Sequence, residues 1–476
     1  MTHASLDGRA RRRRVVLLLC VLAVLAFYLR CAWSYGKQLD PASGRPDFQN
    51  QQADAFLHGQ LNLRIPVPAG LLQLPDPYDA VANAPYRSQG LHDFSLYDGK
   101  VYSYFGPTPV VLLYMPYRLL RVGDLSPTLA CLIFCALGFG AAVGTLDVLR
   151  RRFLRPLSLA TEALAVLALG LAAPMGWLVS IGRGYEVSIA CGYCMVMAGL
   201  YFLCRGLFGD PRRPLVWLAL GSLCLAASVG ARPNLLFALA FVAFALVYVW
   251  REPGTAAARR ASTIALVAPT VVVGAVLAWY NVARFGQISE FGTSYMLLGE
   301  NVRLARADEL GFLGRGLFDY LLAPFQSRPD FPWLSLRSVS SPSPSELSYL
   351  EEPVVGLLPS MPACLLGIVA CCTRPWRRLR GAAWLATLVG VLTAVPLLIM
   401  ALTSFHQHGA TMRYQLDWAP MLLLASVLGW LLFSQSIRAS APGYRVLQAG
   451  AVAVVAWSIF CSIAITTYPC AGTGSC

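Results

Sequence analysis

Residues 11–35 read RRRRVVLLLCVLAVLAFYLRCAWSY, four arginines followed by an apolar run from Val15 to Tyr35 that only Arg30 interrupts with a charge. A run of this length crosses about 30 Å of hydrocarbon as one helix. No clear small-residue cleavage pattern follows it, so it reads as a retained helix rather than an excised leader. The same grammar, a basic cluster abutting an apolar run, recurs along the chain. Spans are expected at 15–35, 126–149, 157–179, 185–206, 213–231, 233–251, 261–282, 354–373, 382–403, 416–435 and 446–467.

Composition agrees. Of 476 residues, 57% are hydrophobic and 13% charged, against about a quarter charged in soluble domains, so water is not the main solvent. The net charge of +14 would point to nucleic acid in a soluble protein, but here the arginines sit in short connections. The clusters are Arg11 to Arg14; Arg150 to Arg152 with Arg155; Arg205 with Arg212 and Arg213; Arg251 with Arg259 and Arg260; Arg374 with Arg377, Arg378 and Arg380; and Arg438 with Arg445. A cytoplasmic N-terminus and about eleven spans put all of them on the cytoplasmic side, as the positive-inside rule requires, with the C-terminus exported. The charge is a topology signal and implies no nucleic-acid partner.

The fold class is thus an all-α polytopic membrane protein of about eleven transmembrane helices, with residues 1–476 as one membrane-embedded module. Two long exported loops, 36–125 and 283–352, hold most of the acidic residues. In the first, Asn50 to Leu61 has the periodicity of a short amphipathic helix and Pro66 to Pro85 reads as irregular. The apolar but short Gly106 to Leu120 should lie in the membrane interface, since a span there would invert every later arginine cluster. Ser338 to Ser345 is a low-complexity connection. Most of the fourteen cysteines fall inside apolar runs, where a small polarizable side chain packs. Neither a CxxC nor a Cys/His metal spacing is read from the sequence, so no metal cluster is expected and no cofactor is assigned. Cys470 and Cys476 could form a disulfide at an exported C-terminus.

Chemistry requires polar groups that converge at helix ends on one side of the membrane. On the exported side these are Asp47 and Asp54, then Arg183 and Glu186 in the turn Gly182-Arg-Gly-Tyr-Glu. Arg232 in Ala231-Arg-Pro-Asn follows, with Arg413 and Asp417 in Arg-Tyr-Gln-Leu-Asp. Carboxylates mixed with guanidiniums suit a reaction in which a base activates a hydroxyl while cations hold a phosphate leaving group. Read singly, each is equally an interfacial charge that keeps a loop wet. Tyr102, Tyr104 and Phe105 could stack on a sugar ring, although aromatic residues belong at bilayer interfaces in any case. His406 and His408 read as solvated loop residues.

The stretches Ala53-Asp-Ala-Phe-Leu-His-Gly-Gln-Leu, Tyr97-Asp-Gly-Lys-Val-Tyr-Ser-Tyr-Phe-Gly-Pro-Thr-Pro and Trp279-Tyr-Asn-Val-Ala-Arg-Phe-Gly resemble the GT-C superfamily of membrane glycosyltransferases. The likeness is to the bacterial branch that holds the lipid-A aminoarabinose and protein mannosyl transferases. It spans most of the chain, including the order of one helix, a long exported loop ending in an interfacial Pro-rich helix, and then the remaining helices. The resemblance implies an inverting glycosyltransferase that takes a sugar from a polyprenyl-phosphate carrier to a lipid, glycan or protein acceptor, without a nucleotide. It implies that an acid shortly after the first helix is the catalytic base, a position matched by Asp47 with Asp54 as the fallback. The family's second acidic position falls on Glu186, and its phosphate-binding cation near the Pro-rich helix falls on Lys100. Arg232, Arg413 and Arg183 join the donor-phosphate set, and Tyr102, Tyr104 and Asp417 the substrate lining. The competing classes are a lipid-linked saccharide flippase or transporter, which would place charges deep in its spans, and an O-antigen ligase or polymerase.

Overall fold

The computed structural model describes residues 3–33, 47–120, 123–154, 156–209, 212–299, 309–337, 350–373, 382–406, 409–436 and 442–467. Arg155, the arginines between 374 and 380, Arg438, Ser338 to Ser345, His408, Cys470 and Cys476 lie outside the described residues.

The chain is a multi-pass bundle of helices. Among the described residues eight are long and apolar enough to cross a membrane. These are α1 (Arg11–Trp33 of the helix His3–Trp33), α4 (Pro127–Phe153), α5 (Leu159–Ile181), α6 (Gly184–Phe208), α8 (Pro233–Arg251), α9 (Ala256–Phe285), α12 (Ala383–His406) and α15 (Pro442–Thr467). The span expected at 213–231 is the shorter helix α7 (Pro214–Val229), and that at 416–435 is α14 (Ala419–Ser436). The segment expected at 354–373 is broken into Leu357–Ser360, Pro362–Cys364 and the longer piece α11 (Leu365–Thr373), with Pro362 opening the middle turn.

Without water to drive them together, helices in a bilayer associate by close packing at small residues. Here α4 lies along α6 at Gly138, where an added Cβ would come 2.4 Å from the Tyr193 ring; α6 meets α7 at Gly221, where a Cβ would come 2.7 Å from Leu203. Buried hydroxyls return to helix carbonyls, as where the Tyr28 hydroxyl donates to Gly170 O at 2.7 Å. At the arginine-bearing end, Glu162 of α5 accepts from Arg13 Nε at 2.6 Å and lies 3.5 Å from Arg150. That acid fastens α1 and α4 to α5. Cys191-Gly-Tyr-Cys194 does have the two-residue spacing of a redox or metal pair, which the sequence reading passed over. It lies inside α6 with both thiols buried and free.

At the other end the two long loops fold together. The amphipathic helix expected at Asn50 to Leu61 is α2 (Phe48–Leu57), followed by two short turns through the proline-rich stretch. A hairpin follows, β1 (Phe94–Tyr97) with β2 (Lys100–Ser103), antiparallel with Tyr97 opposite Lys100. Its turn residues Asp98 and Gly99 both have positive φ, 47° and 66°, the two-residue geometry that matches strand twist. Phe48, Leu63, Leu71, Phe94, Leu96, Val101 and Phe105 close a small apolar core around Leu297, which belongs to the second loop. Backbone bonds seal the joint: Leu297 N donates to Phe94 O at 2.9 Å and Asp93 N to Leu297 O at 3.2 Å. The stretch expected in the interface forms α3 (Val110–Leu120), which packs on α2. In the second loop, α10 (Glu309–Leu321) packs against α12, and the turn α13 (Met412–Gln415) precedes α14.

Candidate functional site

The first polar node forms where α2 meets the start of α4. Asp47 is the N-cap of α2: its Oδ1 accepts from Gln49 N at 3.1 Å and Asn50 N at 3.2 Å, and its Oδ2 accepts from the Asn50 side chain. Asn50 in turn donates to Leu125 O at 2.9 Å and accepts from Leu125 N at 3.0 Å. Burial raises the Asp47 carboxyl to about 6 against those stabilising hydrogen bonds, and nearby Asp124 adds to the rise. A carboxyl poised there exchanges protons near neutral pH. Asp54, about two turns on, is engaged elsewhere, with Arg64 and Arg118 each at 3.1 Å; Arg118 also reaches Asp124 at 2.9 Å.

The second node is built by the starts of α6 and α8, the turn α13 and the first loop. Gly182 ends α5 in a left-handed conformation, φ 49°, that a side chain adopts reluctantly. Arg183 then caps α6, and Glu186 accepts from the Arg183 backbone N–H at 3.0 Å. Glu186 is therefore first a helix-capping carboxylate. It is 2% exposed, and its charge acts on Arg413. Tyr185, between them, donates its hydroxyl to Asp93 and carries the Arg413 guanidinium over its ring at 4.7 Å. Arg413 pairs with Glu352.

Arg232 precedes α8 and grips Asp417 with two nitrogens, Nη2 to Oδ2 at 2.7 Å and Nε to both oxygens at 3.2 Å. Asn234 donates to the same carboxylate at 2.9 Å. Both guanidiniums lie over one ring, that of Tyr414, at 5.2 Å for Arg232 and 5.7 Å for Arg413. Burial works against each charge. Asp417 beside Arg232, and Glu352 with Glu186 beside Arg413, more than offset it, so both pKa values rise.

Asp93 completes the node. It is buried, with a left-handed φ of 65° unusual for a residue bearing a Cβ. Burial raises its carboxyl against the pull of His92 and Arg413. Tyr104 stands close by: burial keeps its hydroxyl well above the ordinary range, with Asp93 and Tyr414 adding to the rise and Arg413 and Arg232 opposing it.

The two nodes adjoin. Phe48, next to Asp47, packs its ring on Tyr185 at 5.8 Å, and Gln49 donates to Gly184 O at 2.8 Å. The structure thus brings together Arg232, Arg413, Glu186, Asp417 and Tyr104, with Asp47 on the neighbouring helix cap. It does not bring in Lys100, an exposed residue of the hairpin separated from Tyr104 by about 13 Å of extended chain. Tyr102 turns to Phe285 at 5.3 Å, beside the buried Arg284, whose Nη1 donates to Ser103 O at 2.8 Å and whose guanidinium covers Tyr280 at 3.7 Å. Sequence reasoning missed Asp93, Tyr185, Asn234, Glu352, Tyr414 and Arg284. Tyr185 and Tyr414 sat inside motifs noted for their charges. Asp93 and Glu352 are ordinary loop acids until folding places them.

Neither a protein-family model nor a curated protein matches the sequence. Two solved structures are similar over nearly the whole chain. One is ArnT from Cupriavidus metallidurans bound to undecaprenyl phosphate, 14% identical, covering 96% of this chain and 76% of that one with a TM-score of 0.43. The other is the archaeal oligosaccharyltransferase AglB from Archaeoglobus fulgidus in complex with an inhibitory peptide and a dolichol-phosphate, 12% identical, covering 98% of this chain and 57% of that one with a TM-score of 0.48.

Proposed function

We propose that the chain is an inverting glycosyltransferase that moves a sugar from a polyprenyl-phosphate carrier to a lipid, glycan or protein acceptor at the exported face of a bacterial inner membrane. The observation that carries this reading is the pair of guanidiniums over Tyr414, adjoining a carboxyl held near 6 on the cap of α2. In the reaction Asp47 takes the proton of the acceptor hydroxyl, whose oxygen attacks the anomeric carbon from the face opposite the phosphate. The bond from that carbon to the phosphate oxygen breaks, and polyprenyl phosphate leaves with the electron pair, its charge met by arginine. Glu186, by holding the start of α6, positions Tyr185 under Arg413.

Incubating the purified protein with a panel of radiolabelled polyprenyl-phosphate sugars and an envelope lipid extract tests the activity. Transfer from one donor, with release of polyprenyl phosphate, is the expected result. Binding of the carriers without turnover of any of them would instead leave the flippase reading. Against that reading, the charged side chains described in the spanning helices stand at or near helix ends, as Glu162 and Arg284 do, rather than at mid-depth.

Exchanging Arg413 for glutamine should raise the apparent donor KM by roughly 10- to 150-fold, the loss of one hydrogen bond to a charged group at about 1.5 to 3 kcal/mol. Altered acceptor preference at unchanged donor KM would contradict the assignment. Orientation is tested separately. Reporter fusions after Lys100 and Trp333 should both read as exported, and a cytoplasmic signal at either would overturn it.

A further inference from the structure

The two guanidiniums over Tyr414 are held differently. Arg232 grips a carboxylate whose side chain is 0% exposed and which also accepts from Asn234. Opening that pair would strand a charge in a dry site. Arg413 is paired instead with Glu352, whose side chain is 34% exposed. A partly exposed ion pair contributes little and exchanges readily.

Among the described residues, the contact recorded for the Glu352 carboxylate is Arg413 alone. Its backbone N–H donates to Ala410 O at 3.1 Å, on the strand that leads into Arg413, so the side chain can rotate away while the backbone stays docked. Arg413 itself stays in place, seated over the Tyr185 and Tyr414 rings. Its Nε is buried and has no hydrogen-bond partner among the described residues, so the guanidinium holds a donor that Glu352 leaves unused.

The geometry points to Glu352 as a built-in stand-in for the ligand anion: it occupies Arg413 in the free protein, and a phosphate monoester or diester displaces it. This rests on the polyprenyl-phosphate reading above and deepens it by separating the two arginines. Arg413 receives the phosphate, while Arg232 is a fixed cation that shapes the site.

The test is binding of farnesyl phosphate to the full chain in detergent, with inorganic phosphate and uncharged farnesol as companion probes. Glu352→Gln removes the competing charge and should lower the farnesyl phosphate Kd by roughly two- to fivefold, the size of a partly exposed ion pair. Farnesol binding should not move. A parallel gain for inorganic phosphate would identify the phosphate group as the displacing element; a gain confined to farnesyl phosphate would show that the lipid tail must bring it there. Glu352→Asp keeps the charge but shortens its reach, and should give a smaller gain in the same direction, which serves if the glutamine variant folds poorly. Unchanged or weaker binding in both folded variants would overturn the proposal. Sugar transfer decides the underlying reading independently: tighter phosphate binding without transfer from any donor supports the displaceable acid and removes the transferase.

Discussion

Replacing Asp47 with asparagine should lower sugar transfer by roughly 10² to 10⁴-fold, the usual contribution of a general base, while leaving the bundle folded. The two halves of this expectation have separate causes. Asparagine caps a helix about as well as aspartate, so the bonds from Gln49 N and Asn50 N to the side-chain oxygen survive the change, whereas proton acceptance does not. The wild-type rate should rise with pH through a limb near 6, where the carboxyl loses its proton. Stability should run the other way. The folded carboxyl titrates near 6 and the unfolded one near 3.8, so its favourable contribution is fully present below about 4 and is lost as pH rises through about 6. The Asp47→Asn protein lacks this dependence, and the gap between the two thermal midpoints should narrow or reverse over that window. Wild-type turnover by the asparagine variant would move the base to Glu186 or Asp54; the same assay on Glu186→Gln and Asp54→Asn decides between them.

Helix positions were legible because a bilayer imposes one rule, about twenty apolar residues between polar ends. The rule fails where packing replaces length: Pro214–Val229 is short, and the stretch after Glu352 is broken at Pro362. Within the site, Arg232, Arg413, Glu186 and Asp417 were legible as charges at helix ends. Their pairing was not. Arg232 and Asp417 lie 185 positions apart, and no local pattern joins them. The same holds for Asp93 and Tyr185, 92 positions apart, and for Leu297, which closes the first loop's core from the second. Lys100 was picked out through the family resemblance, yet folding leaves it exposed on the hairpin. Local sequence reveals which residues are costly to place in a membrane; only the fold reveals which of them share that cost.

Asp417→Ala should destabilise the protein by about 3 to 5 kcal/mol, the typical cost of removing one partner from a buried ion pair. The carboxylate is buried beneath Arg232, with Asn234 donating to it as well. Its loss leaves a guanidinium and an amide without their acceptor in a site from which water is largely excluded. The measurement is the thermal midpoint in detergent, read with and without farnesyl phosphate. A double replacement, Arg232→Met with Asp417→Leu, should recover much of the lost stability, because apolar side chains of similar volume often match a buried pair. It should still abolish transfer, because Arg232 supplies fixed positive charge beside Arg413. Asparagine at 417 should fall between, retaining an acceptor for Arg232 but no charge. If Asp417→Ala unfolds at the wild-type midpoint and loses only donor binding, the Arg232–Asp417 pair is part of the ligand contact surface and the division of labour between the two arginines is wrong. A lowered midpoint that farnesyl phosphate restores in the single variant would instead place the phosphate on Arg232, with Asp417 acting as the displaceable acid.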